Sequence, residues 1–236
     1  MAEFWRGKVV LVTGHCGFIG SHVVAALLKR GASVVGVDRS LSSPSLRVLD
    51  ARTTAILADV TNLPALIGVM DNVRPDIVVH LAGMGHISDC QAAPYQAFAV
   101  NALGTVALLE AVRLAAPSAA VLCASSNHVY VGGLRGHRDP RLHDEFRELR
   151  QREKGFVHRE SEALHAIDAY GTAKICADLA VRAYRDSYGL RAAAVRHVNS
   201  YGPADPHASH LVTASILACL RREPPKLRGQ GTALKG

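Results

Sequence analysis

Lys8-Val9-Val10-Leu11-Val12-Thr13-Gly14-His15-Cys16-Gly17-Phe18-Ile19-Gly20 is the stretch whose reading decides the fold. Lys8 to Thr13 is a short, continuous apolar run that ends in a turn, the mark of a strand buried on both faces. A turn carrying Gly14, Gly17 and Gly20 follows. Ser21 to Arg30 then reads as a helix, because Val23, Val24, Leu27 and Leu28 recur at helical spacing and Gly31 supplies the stop. A glycine turn between strand and helix lets backbone approach a pyrophosphate, and free N–H groups at the helix start face the anion.

Reading outward, strand and helix alternate. Ser33 to Val37 predicts a second strand ending in Asp38. A carboxylate about 20 residues beyond the glycine turn takes both ribose hydroxyls of an adenosine and repels a 2′-phosphate, which favours NAD over NADP. Thr54 to Leu57 is the third strand, leading to Asp59-Val60 at a position suited to an adenine edge. A helix over Leu63 to Asn72 stops before Pro75, and Ile77 to Leu81 is the fourth strand. Ala82 and Gly83 after it are small enough for a dinucleotide to lie close. Ala97 to Ala115 predicts one long apolar helix containing Asn101, and Ala119 to Ser125 is a fifth strand that delivers Ser126 at its carboxyl end. Arg191 to Val198 is the sixth strand and Leu211 to Leu220 a last helix. This alternation indicates an α/β fold with a doubly wound parallel sheet, whose ligands sit beyond the carboxyl ends of the strands.

Tyr170-Gly171-Thr172-Ala173-Lys174 opens a helical run that closes at Gly189. A spacing of four puts Tyr170 and Lys174 on one face, one turn apart. An unperturbed tyrosine has a pKa of roughly 10, and a fixed ammonium nearby is expected to pull it down. With a hydroxyl from Ser126 to share the proton or hold a substrate oxygen, the three form an apparatus for moving a proton on and off an alcohol. Between Ser126 and Tyr170, residues 131–169 are polar and charged; they are expected to be a loop or lid, with an exposed helix over Arg141 to Lys154.

Composition narrows the function classes. The chain has 236 residues, enough for one full core, and a formal charge of +7. The basic excess lies in Arg135 to Arg159 and after Arg221, without interleaved aromatics, so nucleic acid is not the expected partner. No apolar run is expected to cross a bilayer, and the N-terminus shows no secretory pattern. The five cysteines are scattered and odd in number, which suits reduced thiols and a cytoplasmic location. No metal is expected: Cys-x-x-Cys is absent, and His207-x-x-His210 has no third ligand in view.

With these pieces in place the chain resembles the extended short-chain dehydrogenase/reductases of the nucleotide-sugar epimerase and dehydratase kind. The likeness rests on Thr13 to Gly20, Asp59-Val60, His80-Leu81-Ala82-Gly83, Asn101-Ala102-Leu103-Gly104-Thr105, Ser125-Ser126, Tyr170 to Lys174 and Arg196 to Pro203. The opening Phe4-Trp5-Arg6-Gly7-Lys8 running into Thr13-Gly14-His15 is particularly similar to CDP-glucose 4,6-dehydratases. The resemblance implies a Rossmann-type NAD-binding domain over 1–203, with 131–169 inserted, and a remnant of a substrate-binding region over 204–236. It implies Gly14, Gly17, Phe18, Ile19 and Gly20 along the pyrophosphate, and Asp38, Asp59, Val60, Leu81, Ala82, Gly83 and Asn101 around the rest of NAD. Tyr170 would be the base, Lys174 would tune it and hold the nicotinamide ribose, and Ser126 would bond the sugar oxygen being oxidised. His86 and Asn199 would face a nucleotide-diphosphate sugar. Such enzymes oxidise the sugar at C4 and return the hydride after rotation of the keto-sugar or loss of water.

Two departures from the family's pattern stand out. Many of its dehydratases carry an acid–base pair after the catalytic hydroxyl; here the positions are Asn127, which cannot move a proton, and His128, which can, so the dehydratase reading is weakened and an epimerase, which does not need that pair, gains ground. The chain also stops early by the family's habit, so most of the substrate subdomain is expected to be missing. An NAD-binding protein without turnover and a dehydrogenase on a different alcohol therefore stay open beside the epimerase and dehydratase readings. Apolar residues around the Ala97–Ala115 and Tyr170–Tyr188 helices point to a homodimer.

Overall fold

The computed structural model describes residues 2–41, 53–133 and 159–225. Its frame is one six-stranded, wholly parallel sheet: β1 (Val9–Thr13), β2 (Ser33–Asp38), β3 (Thr54–Leu57), β4 (Ile77–His80), β5 (Ala120–Ala124) and β6 (Arg191–Val195), in the order β3-β2-β1-β4-β5-β6. The order reverses direction between β1 and β4, where Thr13 pairs with His80, and the crevice at that reversal is where such sheets take ligands. The helices among the described residues are α1 (Ala2–Trp5), α2 (Phe18–Lys29), α3 (Leu63–Val73), α4 (Ile87–Ala92), α5 (Pro94–Phe98), α6 (Gly104–Ala115), α7 (Ala169–Tyr188) and α8 (Leu211–Leu220).

Strand periodicity splits the core in two. Successive side chains of β1 point to opposite faces, so Leu11 joins one cluster while Val10 and Val12 join the other. Leu66 and Met70 of α3, Leu108, Leu109 and Val112 of α6, and Val181 of α7 pack with Leu11 and Val78. Val24 and Leu27 of α2 cover Val10, Val12 and Val79 on the other side. Helices thus lie on both faces, as the alternation predicts. On the face opposite the large cluster, Leu122 of β5 and Val195 of β6 are exposed.

The caps explain where the elements stop. Asn62 caps α3 by accepting from the Ala65 N–H (3.1 Å), and Asp168 caps α7 by accepting from the Gly171 N–H (2.8 Å). Gly189 closes α7 in the left-handed region that glycine enters freely.

Several boundaries differ from the expectation. α2 begins at Phe18, not Ser21, because Gly17 is its N-cap, so Phe18, Ile19 and Gly20 form the first helical turn. β6 ends at Val195 rather than Val198, and β4 at His80. α4 is a short helix directly after His86, a segment for which the sequence patterns give no element. The long helix starts at Pro94, and residues Ala99–Leu103 within it form a π-helical segment, a feature frequent at functional sites. Contrary to the expectation on length, Pro94–Ala115 is long and apolar enough to cross a membrane by composition; 56% of its 18-residue apolar window is buried inside the fold, the property of a core helix. The helix expected over Arg141 to Lys154 lies outside the described residues.

Candidate active site

The glycine turn is built by close approach of β1 and β4. Gly14 has φ of +70°, and a Cβ there would lie 2.6 Å from the Ala82 nitrogen. A Cβ on Gly20 would run into the Gly14 carbonyl, so α2 starts flush against the turn. Gly17 offers no side-chain cap, which leaves the first N–H groups of α2 available to an anion. Gly14, Gly17, Asp38, Asp59, Val60 and Leu81 line one cleft, which Ala82 and Gly83 continue. Asp38 accepts from the Cys16 N–H (3.1 Å), tying the end of β2 to the turn. Asp59 accepts both the N–H and hydroxyl of Thr61, each at 2.8 Å, and the backbone bond leads in holding its carboxyl below the usual range.

A buried relay fixes the cleft wall. The Thr105 hydroxyl donates to the Asn101 carbonyl (2.7 Å), so its oxygen is left to accept from His80 Nε2 (3.2 Å). His80 Nδ1 then accepts from the Thr13 hydroxyl (2.7 Å), whose oxygen accepts the Ala82 N–H (3.2 Å). Every donor finds one acceptor only if His80 is the neutral Nε2–H tautomer. Burial, with the Lys174 charge adding, pushes its pKa down to about 3, so the relay does not titrate near neutrality. In the π segment, Asn101 accepts from Met84 N–H (2.8 Å) and donates to Met84 C=O (3.1 Å), pinning the loop after Gly83.

Beside the cleft, Ser126, Tyr170 and Lys174 come together as the spacing predicts, all buried. Lys174 Nζ donates to Ala124 C=O (2.9 Å) and lies near Gly83, where a Cβ would sit 3.5 Å from it. It therefore bridges the glycine cleft and the Ser126–Tyr170 pair. The expected depression of the tyrosine pKa is not found in the unliganded chain. Burial pushes the Tyr170 phenol above its ordinary value, and Cys90 and Asp168 add to this while the hydrogen bond with Ser126 opposes it. Lys174 is itself pushed down to about 8 by burial. Both groups are desolvated, and desolvation opposes each charge.

His128 is not a passive strand-end residue. Its Nε2 lies 2.7 Å from Asp168 Oδ2, and the two side chains are only 12% and 13% exposed. Its ring sits 5.6 Å from that of Tyr170, and its backbone N–H donates to Ser126 Oγ (3.1 Å). Asp168 was not singled out from sequence, although an Asp ahead of a helical run is a cap signal. His86 stands apart from this group and stacks on His207 (4.6 Å) and His210 (5.7 Å), with His210 bonded to Asp205 (2.8 Å). Asn199 is exposed and not among the residues lining the cleft. Phe18 packs edge-on to His22 at 5.4 Å.

Comparison with known proteins gives the following. A model of the NAD dependent epimerase/dehydratase family matches residues 10–235. The chain is 30% identical over 217 residues to CDP-glucose 4,6-dehydratase of Salmonella typhimurium, covering 86% of this chain and 55% of that protein. It is 28% identical to UDP-glucose 4-epimerase of Mycolicibacterium smegmatis, covering 94% and 66%. Among solved structures, the NAD complex of UDP-glucose 4-epimerase from Thermus thermophilus superposes with a TM-score of 0.76 at 27% identity, covering 92% of this chain and 64% of the other. The chain thus spans between about half and two thirds of the length of these relatives.

Proposed function

The chain belongs to the NAD dependent epimerase/dehydratase family, and from that premise we propose that it binds NAD and acts on a nucleotide-diphosphate sugar by transient oxidation at C4. The observation that carries the reading is the buried Ser126–Tyr170–Lys174 group set against the glycine cleft at the strand ends. The cleft residues would hold NAD, whose chemistry would be to accept the C4 hydride and return it, with a positively charged ring at the site. Tyr170 takes the C4 hydroxyl proton as that hydride leaves, and Ser126 holds the oxygen. Lys174 is placed to bond a ribose hydroxyl and, as an ammonium, to favour the phenolate. Asp38 is placed for the adenosine ribose and the N-terminus of α2 for the pyrophosphate. In the relatives' names both UDP- and CDP-sugars occur, so the base is left to experiment.

Within this reading the His128–Asp168 pair favours the 4,6-dehydratase course over simple 4-epimerisation. With Nε2–H donated to Asp168, His128 Nδ1 is a base; it takes the C5 proton, acidified by the C4 ketone, and passes it to the C6 hydroxyl, which leaves as water. His128→Asn is expected to lower formation of the 4-keto-6-deoxy product by about 10²- to 10⁴-fold while C4 oxidation persists in single turnover. Unchanged dehydration would remove His128 from this role, and an epimerase activity indifferent to the substitution would return the site to 4-epimerisation.

The reading also includes a homodimer. Leu103 and Leu114, flanking and within α6, and Leu179 and Tyr188 of α7 are each at least half exposed, an apolar surface larger than one sheet contact leaves over. Light scattering at micromolar concentration is expected to give twice the chain mass, and a monomer would refute this part.

The direct test is native mass spectrometry of the purified chain with UDP-, dTDP-, CDP- and GDP-sugars. NAD together with one retained nucleotide sugar supports the proposal. NAD alone, with every sugar refused, would favour an NAD-binding protein without turnover.

A further inference from the structure

We infer that His15, Cys16 and Asp38 form a binding site for a borderline-soft divalent cation such as zinc, placed so that cation and dinucleotide exclude one another. The three residues each offer a ligand atom, and these atoms all lie within 4.8 Å of one another. Cys16 Sγ is 3.3 Å from His15 Nε2. A tetrahedral zinc with sulfur at about 2.3 Å and nitrogen at about 2.0 Å sets those two ligands roughly 3.5 Å apart, so the thiol and imidazole already stand at ligand spacing. Among the described residues, Asp38 Oδ2 accepts from the Cys16 N–H and Oδ1 takes a longer contact from the Ser40 N–H at 3.4 Å, and a carboxylate oxygen has a further lone pair to offer.

The second observation is the state of His15 itself. It is 1% exposed, yet the polar partner recorded for its ring nitrogens among the described residues is the Cys16 sulfur, a weak one. Buried imidazoles are costly unless their nitrogens are bonded. His80 shows how the same fold meets that demand, with a hydroxyl on each nitrogen. His15 instead has its ring held against β2 at Gly36, where any Cβ would collide with it. A cation between the thiol, the imidazole and the carboxylate supplies what the imidazole lacks. Binding deprotonates the thiol, and the proton leaves to solvent. Cys16 and Asp38 line the cleft, so a fourth ligand position opens toward it. Nothing in the spacing of the sequence advertises such a site, because the ligands meet only where the turn folds back on the end of β2.

Exclusion of the dinucleotide rests on the reading of Asp38 as its ribose partner; the cation site itself does not. The test is titration of the metal-free chain with Co²⁺, followed by absorption and then displaced with Zn²⁺. The expected result is a thiolate-to-cobalt charge-transfer band saturating at one equivalent. Cys16→Ser is expected to abolish the band and weaken binding by at least about 10- to 100-fold. Absence of the band in the unaltered chain overturns the site, as does a band that survives Cys16→Ser. Should Cys16→Ser fail to fold, Cys176→Ser with Cys219→Ser replaces it: these two exposed thiols are removed, and the band must persist. NAD at 100 times its Kd is expected to raise the apparent Co²⁺ Kd about 100-fold. A band that NAD does not disturb leaves the cation site standing and refutes the exclusion. If NAD itself fails to bind, the functional proposal falls and the cobalt result remains.

Discussion

Tyr170→Phe is expected to lower turnover by about 10²- to 10⁴-fold, the usual worth of a positioned general base, while the chain folds and binds NAD as before. The phenol is buried against Cys90 and Ala97, and phenylalanine fills the same volume, so packing is nearly conserved. What is lost is the one oxygen able to take the C4 proton, together with the hydrogen bond to Ser126. Because burial holds the unliganded phenol above its ordinary pKa, its ionisation depends on positive charge arriving beside it. Lys174, within reach of Gly83 and pushed down to about 8, is the protein's own source. Lys174 alone, at about 8, loses its proton before a phenol held above its ordinary value ionises, so the phenolate–ammonium pair is a minor form unless the positive ring of NAD adds to the field. Activity is then expected to fall on both sides of a pH maximum, and the phenylalanine variant to lose the limb that belongs to the phenol. Rates measured by single-turnover NADH absorbance, alongside NAD affinity by calorimetry, separate base from binder. Turnover within threefold of the unaltered chain would remove Tyr170 from the role of base.

Local patterns made most of the frame legible before any coordinates. The apolar run of β1 followed by Gly14 specifies a buried parallel strand and a turn without side chains, and Tyr170 with Lys174 reads from helical spacing alone. What stayed hidden depends on contacts between distant segments. Asp168 and His128 are 40 residues apart, and only the fold of α7 onto the segment after β5 makes them a pair. His86 meets His207 and His210 across a gap about three times as long, so the two-histidine spacing understated the cluster. The π segment escaped because its residues continue the apolar pattern of the helix; only the bonds of Asn101 to Met84 show why the backbone widens there. The tyrosine pKa was misjudged for a related reason: helical spacing shows that a charge is near, but not that both partners are desolvated.

Asp178→Ala is expected to destabilise the chain by about 3–5 kcal/mol, because it strands a buried guanidinium. Asp178 is 1% exposed on α7, and it accepts from Arg196 Nε and Nη2, each at 2.8 Å, as a bidentate pair. Arg196, 11% exposed just beyond β6, also donates to the Tyr130 hydroxyl and to Glu160 C=O (3.2 Å). Its guanidinium stands 5.1 Å from the Tyr130 ring. One ion pair thus joins α7, the end of β6, the turn after Ser126 and the chain that returns to Tyr170. Alanine leaves Arg196 with its charge desolvated and half its donors unmet. For a chain of this length the loss corresponds to a fall in Tm of roughly 6–20 °C. Replacing both partners, Asp178→Leu with Arg196→Met, should cost less than either single change, since no charge is then orphaned. The pair also sets an acid limit. Burial acts to raise the Asp178 carboxyl, but its bonds to Arg196 outweigh that and hold it below the ordinary value. A depressed carboxyl stabilises the fold above its unfolded pKa of about 3.9, and that stability drains away as pH falls through the folded value. Urea unfolding of the two single variants and the double variant, at pH 7 and again at pH 4, measures all three claims. An Asp178→Ala loss below about 1 kcal/mol would mean that water reaches Arg196 and the pair is not a buried one.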